Sequence, residues 1–258
     1  MSNKKAMTNQ TKKEYPKPYG YTSDIAVFTI VTEEKEPYKP PKMSLKLMLI
    51  QRAMVNAEGE KNSEAGKWAL PGGFVHPDES AFEAAKRELE EETGVKDIHL
   101  KHYGVYDEPG RDDRGWVITN AHYAIVPEDS LIKRKANDDA ARVELFKIDE
   151  IFSLPLAFDH EIIIRDAIKE IKKDLLQTTI AQKFLPSQFT YSELQAVLLT
   201  VTDDAAIKSD QAFARKIRML PFIEEVDGKT TTRTSKKPTK LYQFVEMNVM
   251  KPIYTARY

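Results

Sequence analysis

Hydrophobic positions along this chain follow two rhythms, and the points where one gives way to the other outline its architecture. Runs rich in β-branched and aromatic residues, bounded by turn formers, predict strands at 24–32 (DIAVFTIVT), 45–53 (LKLMLIQRA) and 67–75 (KWALPGGFV). Further strands are expected at 99–108 and 116–127, on either side of the turn PGRDDRG, and at 143–151 (VELFKIDEI). Helical periodicity takes over at 80–94 and again at 156–176 (LAFDHEIIIRDAIKEIKKDLL). Strands, a helix, more strands and a second helix predict a mixed α/β or α+β sandwich.

The pattern changes after a boundary placed near 177–185. SELQAVLLTVT predicts a helix with its N-cap near Thr190, and AIKSDQAFARKIRML a second, with Ala212, Phe213, Ile217 and Leu220 as packing residues. PFIEEVDGKTTTRTSKKPTKLYQFVE then predicts a hairpin with a basic tip. Two helices and a hairpin in so short a span are the layout of a winged helix-turn-helix. Residues 1–20 are polar and predict a flexible tail, giving three parts: 1–20, 21–180 and 181–258.

Composition adjusts this picture little. Hydrophobic residues make up 41% and charged residues 31%, which suits a globular chain, and the absence of cysteine excludes disulfides and thiolate metal sites. No apolar run approaches a membrane span and the N-terminus lacks a secretory core, so a cytoplasmic protein is expected. The formal charge of −1 conceals an asymmetry: residues 1–182 hold 27 Lys and Arg against 32 Asp and Glu, residues 183–258 hold 12 against 8. An acidic first part and a basic second part suggest different partners.

The candidate chemistry lies in GGFVHPDESAFEAAKRELEEETGV, residues 72–95. Ser80 with Glu83 is a capping-box signature, and Gly94 suits a helix end. On a helical projection Ala81, Ala84, Ala85, Glu91 and Glu92 lie within about 60° of Glu88. The stripe expected to face the core therefore ends in three carboxylates, which repel one another near the negative end of the helix dipole. A bound cation would turn that repulsion into attraction.

These residues resemble the Nudix hydrolase signature, whose constrained positions fall here on Gly73, Glu79, Arg87, Glu88, Leu89, Glu91, Glu92, Gly94 and Val95. The resemblance implies an α/β/α Nudix sandwich with a mixed sheet. It implies Mg²⁺ or Mn²⁺ held by Glu88, Glu91 and Glu92 with the Gly72 carbonyl, and Glu91 and Glu92 serving catalysis. It further implies that Gly73, Glu79 and Arg87 support the site. FLPSQFTYSELQAVLLTV, ARKIRMLPFIEEV and SKKPTKLYQF are similar to the C-terminal winged helix of Nudix-related transcriptional regulators of bacterial NAD metabolism (NrtR-like) and their ADP-ribose-processing relatives.

The first expectation is a Mg²⁺-dependent hydrolase cleaving a nucleoside diphosphate derivative, ADP-ribose to AMP and ribose 5-phosphate foremost. The alternative is an ADP-ribose-responsive DNA-binding regulator with little or no hydrolysis. Double-stranded DNA and a homodimer are implied partners, and no membrane. Arg52, Arg111 and Arg114 are the expected substrate contacts, guanidinium forks being suited to phosphate and ribose, unless the turn only forms local Asp–Arg pairs. Trp68 either lines the pocket or packs in the core. Tyr19 and Tyr21 either stack on adenine or pack the tail onto a strand. Asp159 or His160 serves as base or substrate contact, or else they are a helix-capping Asp and an incidental His. Arg215, Lys216 and Arg218 on the recognition helix, with Arg233, Lys236, Lys237 and Lys240 on the wing, are candidate phosphate contacts.

Overall fold

In the computed structural model, which describes residues 16–55, 59–94, 98–128 and 142–245, β1 (Gly20–Glu34) is the spine of a seven-stranded mixed sheet. It pairs antiparallel with β2 (Lys42–Gln51) and parallel with β6 (Val117–Ile125). β5 (His99–Tyr106) adds to β6, while β3 (Trp68–Ala69) and β7 (Val143–Lys147) flank β2. β4 (Gly72–Phe74) pairs with the start of β1. From Ile25 to Phe28 β1 is apolar at every position because both faces of the sheet are covered. Ile25 and Val27 point to α1 (Ala81–Thr93), and Ala26 and Phe28 to α2 (His160–Gln177). This is the α+β sandwich with a mixed sheet that the sequence leads one to expect. Residues 1–15 of the expected tail and Val95 of the motif lie outside the described residues.

The segment read as one strand at 67–75 is two. β3 joins β2 and β4 joins β1, with Pro71 between them. Proline cannot donate to a ladder, and here its carbonyl instead accepts from the Ile25 N–H at 2.8 Å. The second long helix begins at His160, not at 156. Leu156 is held in a parallel bridge to Trp68, and Phe158 takes a positive φ of 50°, so helical geometry cannot begin before them. Trp68 is core, packed edge-on against Phe146 with ring centroids 4.8 Å apart.

Beyond a 3₁₀ segment at Thr179–Phe184 stand α3 (Tyr191–Leu199), α4 (Ala205–Lys208), α5 (Asp210–Ile217) and the hairpin β8 (Ile223–Thr231)–β9 (Thr239–Phe244), a winged helix. The span read as one helix at 206–220 breaks at Ser209, whose side chain caps α5 by accepting from the Ala212 N–H. Phe213, Ile217 and Leu220 are buried, whereas Ala212 is half-buried. One apolar core runs from the sheet through Ile171, Leu175 and Leu176 of α2 to Ile180, Leu194 and Val197. No described helix is long and apolar enough to cross a membrane.

His122 on β6 sits beneath α1, only 2% exposed, with Nδ1 3.1 Å from Ser23 Oγ and its ring edge-on to His102. Burial, and then the nearby His102, pull its pKa down from 6.5 to about 4. The unfolded chain therefore takes up this proton first as pH falls. Stability from neutral His122 is complete above pH 6.5 and is lost on acidification towards 4. In urea titrations at stepped pH, His122→Gln should flatten the slope of stability between those limits by at most about 1.4 kcal/mol per pH unit. An unchanged slope would mean that His122 is not held neutral.

Candidate functional site

The motif helix is built as its residues dictate. Ser80 accepts from the Glu83 N–H while the Glu83 carboxylate accepts from the Ser80 N–H, and Gly94 closes the helix in the left-handed conformation. Ala84, Ala85 and Leu89 are buried. Glu88 and Glu92 are half-buried beside them, but Glu91 departs from the expected stripe, with 59% of its side chain exposed.

Arg87 organises the loop before the helix. Its guanidinium donates twice to Glu79, at 2.7 and 3.1 Å, and to the Phe74 carbonyl at 3.1 Å. Glu79 also accepts from the His76 N–H, and together the Arg87 fork and that N–H hold its pKa down at about 2. The same Arg87 reaches Glu88 at 2.8 Å and, more weakly, Glu91 at 3.4 Å. Gly73 is small for a reason: a Cβ there would meet Glu88 Oε1 at 2.2 Å.

Among the described residues, no three acidic or histidine side chains stand close enough to hold a metal ion by themselves. The donor types nevertheless fit a hard divalent cation. Glu88 and Glu92 lie one turn apart on one helix face, and the space left by Gly73 brings Glu88 against the glycine turn, where the Gly72 carbonyl is a further oxygen donor. Glu91 is the more exposed of the expected ligands. A cation would replace Arg87 at Glu88 without disturbing the Arg87–Glu79 pair.

Next to the turn is a cavity of about 220 Å³, lined by Gly72, Gly73 and Phe74 of the turn together with Arg52, Arg111 and Arg114, and by the buried Asp24 and His160. The three arginines, from the end of β2 and from the loop 107–116, thus converge on one space. Arg111 is almost wholly buried and donates twice to Asp159, at 2.7 and 2.9 Å. Arg114 makes the local pair with Asp112, again bidentate. Arg52 bonds the Ser63 carbonyl and Asn62 Oδ1; burial first, and then the Arg114 charge, lower its pKa.

Sequence reasoning missed Phe158 and Asp24. Two guanidiniums lie over the Phe158 ring, that of Arg52 4.9 Å and that of Arg114 5.0 Å from its centroid. Its positive φ is strain of the kind that the surrounding structure must enforce, and no local sequence signal announces it. Asp24 is hidden in an otherwise apolar strand run, and that lone acidic residue was the available clue. Asp159 binds Arg111 and makes no side-chain cap to α2. His160 is buried, with Nδ1 accepting from the Leu70 N–H at 2.9 Å. Its proton must therefore sit on Nε2, which faces Asp24 Oδ2 at 3.8 Å. Burial lowers its pKa and favours this neutral form. Tyr19 and Tyr21 are exposed, and Tyr21 accepts a hydrogen bond from Asn120.

In the winged helix, Arg215 and Arg218 are exposed and Lys216 half-buried. Lys236 and Lys237 are exposed at the wing and make no ion pair among the described residues. Two other wing cations are engaged. Lys240 pairs with Glu225 across the hairpin at 2.6 Å, and Arg233 forks onto Glu193 of α3.

A glycine turn leading into a carboxylate-bearing helix, set on this sandwich, defines the class: residues 22–167 match the NUDIX domain, and the chain belongs to the Nudix family. Residues 181–244 match the NrtR DNA-binding winged helix domain. An ADPR responsive transcriptional repressor of Acinetobacter baylyi is 27% identical over 90% of this chain and 84% of its own. An ADP-ribose pyrophosphatase of Methanocaldococcus jannaschii is 42% identical, over 48% of this chain and 66% of its own. The structure of Shewanella oneidensis NrtR complexed with a 27mer DNA is 25% identical, covering 87% of this chain and 93% of that one with a TM-score of 0.68. The likeness to the repressor spans both domains, whereas that to the pyrophosphatase covers about half of the chain. Members of the Nudix family typically use a divalent metal ion.

Proposed function

We propose that this protein is a DNA-binding regulator that responds to ADP-ribose or a closely similar nucleoside diphosphate derivative. The observation that carries this reading is the convergence of Arg52, Arg111 and Arg114 on one cavity in a chain that also bears a basic winged helix. Guanidinium forks suit phosphate and ribose oxygens. At about 220 Å³ the cavity is below the usual range for a whole drug-sized ligand, roughly 300–1,000 Å³. It takes one end of the ligand, and the rest lies across the glycine turn towards α1. Phe158 keeps Arg52 and Arg114 in place, and Asp159 holds Arg111 until an anion competes for it.

The response follows from α2. Its first turn lies at the cavity, where Asp159 anchors Arg111 and His160 bonds Leu70, and its last turns share a core with the start of the winged helix. A ligand that draws Arg111 away from Asp159 changes the anchor at one end of a rigid helix about 27 Å long. The shift is limited to the difference in ligand affinity between the two arrangements. Arg215, Lys216, Arg218, Lys236 and Lys237 supply the phosphate contacts on DNA.

The signature glutamates favour a second reading, hydrolysis. When bound, a divalent cation would neutralise the diphosphate and lower the pKa of a coordinated water. Glu88 and Glu92, with the Gly72 carbonyl, would hold it, and Glu91 would assist. The test compares wild type and Glu92→Gln for DNA retention with and without ADP-ribose, and for AMP release with Mg²⁺. ADP-ribose should release DNA from both proteins. Rapid AMP release by wild type alone, with DNA retention absent or indifferent to ADP-ribose, would replace the regulator with the enzyme.

A further inference from the structure

The hairpin is joined to the start of α3 by backbone hydrogen bonds exchanged between Phe189 and Tyr242, at 2.9 and 2.7 Å, and by Lys229 donating to Gln188 Oε1 at 3.3 Å; at its turn one arginine makes the charged tie. Arg233 Nε and Nη2 donate to the two oxygens of Glu193 at 2.7 and 2.6 Å, and Nη2 also donates to the Gln188 carbonyl at 2.7 Å. Glu193 is held independently: its Oε2 accepts from the Thr190 N–H at 2.7 Å, completing the capping box of α3, and only 12% of its side chain is exposed. Beside this pair Thr234 is buried, its hydroxyl 3.3 Å from that of Thr190, itself fully buried. The turn of the wing is therefore folded back on the N-terminus of α3 and fastened by a fork that a single-point ammonium cannot reproduce. The two cations that follow it behave differently, since Lys236 and Lys237 make no ion pair among the described residues.

We infer that Arg233 is a positioning residue for DNA binding and not a phosphate contact: by clamping the wing to α3 through Glu193 it presents Lys236 and Lys237 to the duplex. The inference rests on the DNA-binding reading above. Each phosphate contact contributes to the salt dependence of binding, close to one unit of slope in log K against log salt. A clamp contributes to affinity without contributing to that slope.

The experiment measures binding of the full chain to a fluorescein-labelled mixed-sequence duplex of about 30 base pairs, long enough for non-specific phosphate contacts, by anisotropy across a salt series. Arg233→Ala should weaken binding roughly tenfold, the effect of losing about 1.4 kcal/mol, and leave the slope unchanged. Arg233→Lys should weaken it nearly as much, since it keeps the charge and loses the fork. Lys237→Ala should reduce the slope by about one unit. Glu193→Gln separates the two roles most sharply. It keeps the capping box and removes a negative charge, so simple electrostatics predicts tighter binding, whereas loss of the clamp predicts weaker. A lower slope in Arg233→Ala, full affinity in Arg233→Lys, or tighter binding by Glu193→Gln would each overturn the clamp. Failure of the wild type to bind the duplex at low salt would instead overturn the DNA-binding reading.

Discussion

Arg111→Met should lower folding stability by about 3–5 kcal/mol, the usual effect of removing one partner from a buried ion pair. Only 4% of the Arg111 side chain is exposed, and its bidentate bond to Asp159 is the main compensation for burying both groups. Without it, Asp159 keeps a charge beside Asp24, which lies 3.9 Å from the same guanidinium. ADP-ribose affinity should fall roughly ten- to a hundredfold in the same variant, the scale of a charge-assisted bond. The double variant Arg111→Met, Asp159→Leu divides these effects, because replacing both charges by apolar groups of similar volume is often close to neutral. It should recover most of the stability in urea unfolding and none of the affinity in calorimetry. Recovery of both would show that Arg111 serves the fold alone.

The glycine turn supplies the second large effect, and its two glycines should differ in how much stability they govern. Gly72 has a φ of +149°, and a Cβ there would lie 2.2 Å from the Ser23 carbonyl oxygen and 2.9 Å from Asp24 Cα. Both atoms are backbone of the central strand and cannot retreat. Gly72→Ala therefore combines backbone strain with overpacking and should destabilise by roughly 3–4 kcal/mol. At Gly73 the clash is with the carboxylate of Glu88, the free end of a side chain. Gly73→Ala should cost about 1 kcal/mol or less in urea unfolding, since the carboxylate can swing aside. Its consequence is local: Glu88 leaves the turn, and any cation shared between Glu88 and the Gly72 carbonyl is lost with it. Equal stability losses in the two variants would contradict this division.

Much of this architecture was legible in the sequence because it rests on short-range rules. Periodicity showed the strands and helices, the capping box at Ser80 marked one helix start to the residue, and the N-cap expected near Thr190 falls on Thr190. The misread segments were those whose partners lie far away. Pro71 divides a strand-like run because each half finds a different neighbour in the sheet. Ser209 divides a helix-like run by capping the part that follows. Phe158 cannot be read at all from its neighbours, since a phenylalanine in left-handed geometry is sustained only by what surrounds it.

By itself, then, the sequence determined the Nudix turn and helix, the order of elements, and the winged helix that follows, because fixed spacings and periodic apolar positions encode them locally. Only the tertiary structure decided how the charges are used. It turned Glu91 to solvent, placed Asp159 on Arg111 instead of on its own helix, stacked two arginines on Phe158, and committed Arg233 to Glu193 while Lys236 and Lys237 stayed exposed. An ion pair depends on which distant groups are buried side by side, and no local pattern carries that information.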